Sequence, residues 1–180
     1  MTSDLLGKTA PGFDAPIDVL EACHLRIAAQ CNTLEKLLAH LPVHGADGQA
    51  QQAARAVLRY FDVAAVHHHD DEERNLFPLL EAAHAPGACD LIEMLTLEHD
   101  EQALLWRSLR TQLAAIETGT STVLDVAQTS RFIEANRSHL AFENTHVLPL
   151  ARAVLDAAAL QRLGRAMAAR RGLDYPDVTT

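Results

Sequence analysis

Aromatic residues make up only 4% of this 180-residue chain, and β-branched residues are few beside Ala and Leu. Strands draw on those two classes, so the shortage argues against a sheet and for helix. Cysteine is scarce as well. Cys23, Cys31 and Cys89 give an odd count with no Cys-x-x-Cys pair, which excludes a disulfide framework and fits a reducing, cytoplasmic compartment. Cys31 falls on an apolar stripe and reads as a small buried hydrophobe. No apolar run approaches the length of a membrane span, and the first residues lack the cationic start of a signal peptide. Positive charge is short too. Lys and Arg number 15 against 24 Asp and Glu, a formal net charge of −9, which argues against nucleic acid or an anionic membrane as partner. There is no Gly-rich phosphate loop, and no Ser-His-Asp or Cys-His arrangement can be argued.

Histidine is plentiful, with 10 residues. The densest stretch is His67-His68-His69-Asp70-Asp71-Glu72-Glu73-Arg74-Asn75-Leu76-Phe77-Pro78. It sets imidazole four residues ahead of carboxylate twice, as His68 with Glu72 and His69 with Glu73, a spacing that stacks two side chains on one helix face. An internal repeat chooses between the two pairs. An offset of 71 carries Phe61 onto Phe132, His68 onto His139, Glu72 onto Glu143 and Pro78 onto Pro149. The mates of His69 and Glu73 are Leu140 and Asn144, so that pair is not repeated. Upstream, an offset of 75 carries Ile17 onto Ile92, Leu20 onto Leu95, His24 onto His99 and Leu34 onto Leu109.

Between these marks the chain reads as helices. Ile17, Leu20, His24, Ile27, Cys31, Leu34, Leu38 and Leu41 recur at three- and four-residue steps, from a start at Asp14 and Pro16 to an end at Pro42 and the following Gly-containing loop. A second helix runs from near Asp47 to about Leu80, with Pro78 kinking or ending it. A third spans about 89–117 and stops at Gly119. Thr122 and Asp125 resemble a capping box that opens a fourth. A short fifth helix covers about 155–171, and its Leu160, Leu163 and Met167 are available to pack on the bundle; left exposed, they would support a homodimer. The expected fold is all-α: an up-down-up-down four-helix bundle with a pseudo-two-fold repeat, plus the short C-terminal helix. One domain spans 1–180, with the bundle at about 16–151, an N-terminal arm at 1–15 and a frayed tail at 173–180.

In such a bundle His24, His68, Glu72, His99, His139 and Glu143 meet at one level. Any one of these histidines alone reads as a satisfied core residue. Four of them with two buried carboxylates, repeated in register, read as a metal site, because a core carboxylate is costly unless paired or bound to a cation. Imidazole and carboxylate suit iron, manganese or zinc. If both carboxylates bridge two ions, the six side chains fill about eight of twelve octahedral positions, and a solvent-derived bridge leaves about one open position per ion for a small ligand.

His24, the run His68-His69-x-x-Glu72-Glu73-x-x-Leu76-Phe77-Pro78, His99 and His139-x-x-x-Glu143 resemble the hemerythrin family in its HHE cation-binding branch, over about residues 17–151. The resemblance implies a four-helix bundle around a non-haem di-iron centre, two irons per chain joined by an oxo or hydroxo bridge, with those six residues as ligands. It departs from the oxygen carriers, which use five histidines; here the third helix offers only His99, with Leu95 and Ala103 one turn to either side. Four His and two Glu look more like the bacterial di-iron proteins that repair iron–sulfur clusters. The implied function is to bind oxygen or nitric oxide for sensing or for handling iron and oxidative stress. The alternative is a di-iron enzyme that reduces peroxide or nitric oxide, or donates iron to damaged clusters. A ferritin-like site wants four carboxylates and two Glu-x-x-His pairs, and only Glu21 with His24 fits. His146 and its mate Asn75 are expected to orient ligands from just below the layer, with His146 a candidate fifth metal histidine. Asp70, Asp71 and Glu73 are expected on a solvated acidic face, with His67 and His69 at the surface or on a path for metal entry.

Overall fold

Three aspartates start helices. In the computed structural model, which describes residues 11–175, the carboxylates of Asp47, Asp125 and Asp156 accept hydrogen bonds from the backbone N–H of Ala50, Gln128 and Ala159 at 2.9, 2.8 and 2.7 Å. Each satisfies one of the donors that a helix leaves open at its N-terminus. Asp125 caps its helix alone, without the expected capping box from Thr122. Pro16 opens the first helix, where its missing N–H costs nothing, and Ala15 before it makes no side-chain cap.

Five helical stretches follow. α1 is Pro16–His44, α2 covers 48–82, α3 is Ala88–Glu117, α4 covers 126–154 and α5 is Ala157–Arg170. No strand occurs among the described residues. α1 packs on α2 and α4, and α3 packs on the same two, so the four long helices close into a ring around one interior. No helix among the described residues is long and apolar enough to cross a membrane. The parts of the expected arm at 1–10 and tail at 176–180 lie outside the described residues.

Proline acts differently from expectation. α1 runs through Pro42 to His44 and ends at Gly45, whose φ of 67° is left-handed. Pro42 lies so near the end that the helix loses little from its missing N–H. Pro78 neither ends α2 nor stands alone. The turn before it, Glu72–Leu76, is a π-turn, after which α-helix resumes at Phe77–Ala82. α4 does the same 71 residues on, with a π-turn at Glu143–Val147 and α-helix at Leu148–Val154 around Pro149. A π-turn takes in one extra residue and so absorbs the proline without breaking the helix. A third π-turn, Tyr60–Ala64, has no counterpart in α4.

The interior holds two apolar clusters. One gathers Ile27, Leu34, Leu41, Val57, Phe61, Leu113 and Phe132. The other gathers Leu20, Leu76, Phe77, Leu95, Val147 and Leu148 with Leu163 and Met167 of α5. Leu163 and Met167 are fully buried there, so the stripe expected to support a homodimer is spent inside the chain's own core. Gly164 lets the N-terminal segment close on α5, since a Cβ there would lie 2.0 Å from the Phe13 carbonyl oxygen.

α5 also removes one member, Asp71, from the expected solvated acidic face, while Asp70 and Glu73 stay 25% and 40% exposed. Asp71 is fully buried. It accepts from Arg170 Nη1 and, at 2.7 Å, from Arg171 Nη2. Asn75, expected to orient metal ligands, accepts from Arg170 instead, at 2.7 Å. Charges on a two-turn helical run point in every direction, and the helix that covers this face comes 99 residues later.

Candidate metal centre

Each long helix delivers its site residues from its core-facing stripe. His24 follows Leu20 and precedes Ile27 on α1; His99 follows Leu95 on α3. His68 and His139 lie one turn before the carboxylates Glu72 and Glu143, and each carboxylate opens a π-turn. All six side chains are at most 3% exposed. They form a polar layer made of two groups that share both carboxylates. His24, His68, Glu72 and Glu143 offer ligand atoms within 4.8 Å of one another, and so do His99, His139, Glu72 and Glu143.

Within the layer the contacts are close but mostly misaligned. His24 Nε2 lies 3.2 Å from Glu143 Oε2 and 3.9 Å from Glu72 Oε1. His68 Nε2 lies 3.5 Å from Glu72 Oε1, and His139 Nε2 lies 3.3 Å from Glu143 Oε2. Yet His24 Nε2, both nitrogens of His68 and all four oxygens of Glu72 and Glu143 are buried without a hydrogen-bond partner. Buried polar atoms left unpaired are costly, and six of these seven, all but His68 Nδ1, turn toward one another as they would around a cation. The donor set, neutral imidazole and carboxylate oxygen, is one that iron, manganese and zinc accept.

The electrostatics of the layer without a cation point the same way. Burial would lower His24 and His139, but the Glu143 and Glu72 carboxylates outweigh it and lift them to about 10 and about 9. Burial, together with the charge on His24, drives His68 well down. Burial and His139 take His99 to about 4. Burial and the neighbouring Glu143 push Glu72 up to about 8. Glu143 is held low, because His139 and His24 outweigh its burial.

A second ring of side chains fixes which imidazole nitrogen faces inward. His24 Nδ1–H donates to Asn144 Oδ1 at 2.7 Å. His99 Nδ1–H donates to Glu73 Oε1 at 2.7 Å. His139 Nδ1–H donates to Glu98 Oε2 at 2.7 Å. Each bond turns Nε2 into the layer, where His24 Nε2 has no hydrogen-bond partner and the Nε2 atoms of His99 and His139 lie 3.0 Å apart, hydrogen-bonded to each other. Glu73 is therefore exposed, as expected, yet also backs a histidine of the site; partial burial, with Asp100 and Asp70 nearby, raises its pKa. The sequence carried a sign of this, since Glu73 and Asn144 are mates at the offset of 71, each one residue past a carboxylate of the layer. Glu98, just before His99, carried no such sign.

His69 and His146 fall outside both ligand groups. His69 stacks on the His99 ring with centroids 4.0 Å apart and planes inclined 12°. Phe77 stacks on His99 more distantly, at 6.1 Å. His146 is exposed, stacks on Phe142 and donates to the Phe142 carbonyl at 3.1 Å. It can neither orient the layer nor ligate there, because the π-turn rotates it off the face that His139 shares with Glu143. Beyond His69 lies a cavity of about 80 Å³, lined by Phe61, Val66, Gln102, Trp106 and Phe132, with His69 in its wall.

Residues 15–151 match the family described as the hemerythrin HHE cation binding domain. An uncharacterised protein of Haemophilus influenzae is 32% identical over 159 residues, covering 88% of this chain and 91% of that protein.

Proposed function

Because the chain belongs to the hemerythrin HHE cation-binding domain family, we propose that the polar layer holds two iron ions and that the protein binds a small diatomic molecule, oxygen or nitric oxide, for sensing or for handling iron and oxidative stress. One observation carries the reading: seven unpaired buried atoms on residues that form two ligand groups sharing two carboxylates. His24 and His68 would hold one ion, His99 and His139 the other, and Glu72 and Glu143 would bridge them. When bound, such a pair of ions supplies reversible redox chemistry and open coordination positions for a diatomic ligand. The protein's part is to fix the imidazoles through Asn144, Glu73 and Glu98, to exclude water with the two apolar clusters, and to offer the small apolar cavity beside His69 as a place for an uncharged molecule to wait. The matching π-turns before Pro78 and Pro149 support an up-down-up-down bundle with a pseudo-two-fold repeat as the architecture of a single domain.

The test is elemental analysis of protein purified without a His-tag, with absorption spectra before and after reduction and exposure to air. The expected result is two irons per chain and a spectrum that changes reversibly with oxygen or nitric oxide. Turnover of peroxide or nitric oxide would make the protein an enzyme instead. Unchanged iron content in His68→Ala and His139→Ala would remove the ligand assignment.

A further inference from the structure

The helical repeat that builds the layer breaks down one shell out. Glu73 on α2 has Asn144 on α4 as its mate at the offset of 71, and each accepts from the Nδ1–H of a layer histidine, His99 and His24 respectively. The geometry is conserved between the halves and the charge is not. Glu98 on α3 has Cys23 on α1 as its mate at the offset of 75. Glu98 holds His139 at 2.7 Å, whereas His68, the counterpart of His139, has an Nδ1 buried without a partner. The two differences sort onto the two ligand groups without mixing. Both imidazoles of the His99/His139 group are backed by carboxylates. Neither imidazole of the His24/His68 group is: one is backed by a neutral amide and the other by nothing. The bridging carboxylates are common to both groups and cancel from the comparison.

A carboxylate accepting from Nδ1–H makes the imidazole a better donor at Nε2 and adds negative charge behind it, and such partners are worth about 10- to 100-fold in metal affinity. Taking the two-metal reading above as its premise, we infer that the two metal positions are unequal by construction: the His99/His139 position is the tight one, filled first and emptied last, and Glu73 and Glu98 are the positioning residues that make it so. The His24/His68 position is the exchangeable one. Loss of a single ion therefore leaves a mononuclear centre on the α3 and α4 imidazoles.

The experiment uses manganous ion as probe, titrated into chelator-stripped protein and followed by electron paramagnetic resonance and by calorimetry. His24→Ala cripples one position and His99→Ala the other, so each variant reports one ion without cooperativity between sites. The expected result is that His24→Ala binds its ion at least about tenfold more tightly than His99→Ala does. Glu73→Gln and Glu98→Gln keep every ligand, and should each weaken the first binding step of the otherwise unaltered protein while leaving the second nearly unchanged. Asn144→Asp should strengthen the second step. Circular dichroism of every stripped variant separates loss of affinity from loss of fold. Two ions bound with equal affinity by the two histidine variants, or a first step indifferent to Glu73→Gln and Glu98→Gln, would overturn the inference and leave the two-metal reading standing. Failure of the unaltered protein to take up any ion would overturn both.

Discussion

Asp71→Ala should be among the most damaging changes outside the metal layer, although the residue sits in the most acidic run of the sequence. Its carboxylate is fully buried and held by Arg170, the last residue of α5, and by Arg171 just after it, whose side chains are 15% and 19% exposed. Removing one partner of a buried ion pair costs about 3–5 kcal/mol, mostly because the other is left buried without compensation. Both guanidiniums lie near enough to the surface to reach water, which places the cost at the low end, about 3 kcal/mol. For a chain of this length that lowers the melting temperature by about 6–12 °C. The neighbouring Asp70 is the control. It pairs with Arg74 at 2.9 Å, where Arg74 is 72% exposed, and reaches Arg170 only at 3.8 Å, so Asp70→Ala should cost less than about 1 kcal/mol. Urea unfolding of the chelated protein, with α-helical ellipticity as the signal, reads both without a contribution from bound metal. In a background where Arg170 and Arg171 are already alanine, Asp71→Ala should lose much of its added cost. Equal midpoints for the Asp70 and Asp71 variants would refute the argument that α5 is anchored by this carboxylate.

Three more outcomes are expected. Stripping the metal with a chelator should lower the melting temperature by about 8–16 °C for a protein otherwise held at a thousandfold excess over its dissociation constant, and scanning calorimetry with and without chelator checks it. Asp125→Ala should cost about 1 kcal/mol through loss of the α4 cap, while Thr122→Ala should be nearly neutral; reversed effects in chemical unfolding would mean that the helix begins elsewhere. His69→Ala should leave metal content unchanged, since its ring stacks on His99 and lies outside both ligand groups, and a variant stripped of iron in elemental analysis would move the ligand register by one residue.

Much of this was readable from the sequence wherever two signals coincided. The six residues picked out by apolar periodicity together with the two repeat offsets are the six that meet in the core, because a residue on a core stripe with a mate in the other half has only one level at which to meet it. Single signals were weaker guides. Asp71 looked like its neighbours, and nothing local reveals that arginines about 100 residues later cover it. His146 lay seven residues past His139, a spacing that shares a face only while the helix stays α; the π-turn at Glu143–Val147 breaks that rule. The Pro78 and Pro149 pair marked a disturbance but not its form. Periodicity cannot tell a kink from an inserted residue, and here the insertion falls on the carboxylates themselves. Glu98 was hidden because adjacent residues on a helix point about 100° apart, so His99 facing the core says nothing of a neighbour that reaches across to α4.

The two apolar clusters lie on opposite sides of the layer of histidines and carboxylates. Each cluster is a candidate cooperative unit of its own. With a cation held as proposed, ligand bonds would tie all four helices together at mid-height, and the bundle would open as one body. Without it, the end that carries α5 and the end that carries the aromatic trio Phe61, Trp106 and Phe132 are free to open independently. In amide exchange this is the difference between one protection level along the whole of α1 and a step at His24. The polar layer would thus also be a seam, its occupancy deciding whether the chain behaves mechanically as one piece or as two.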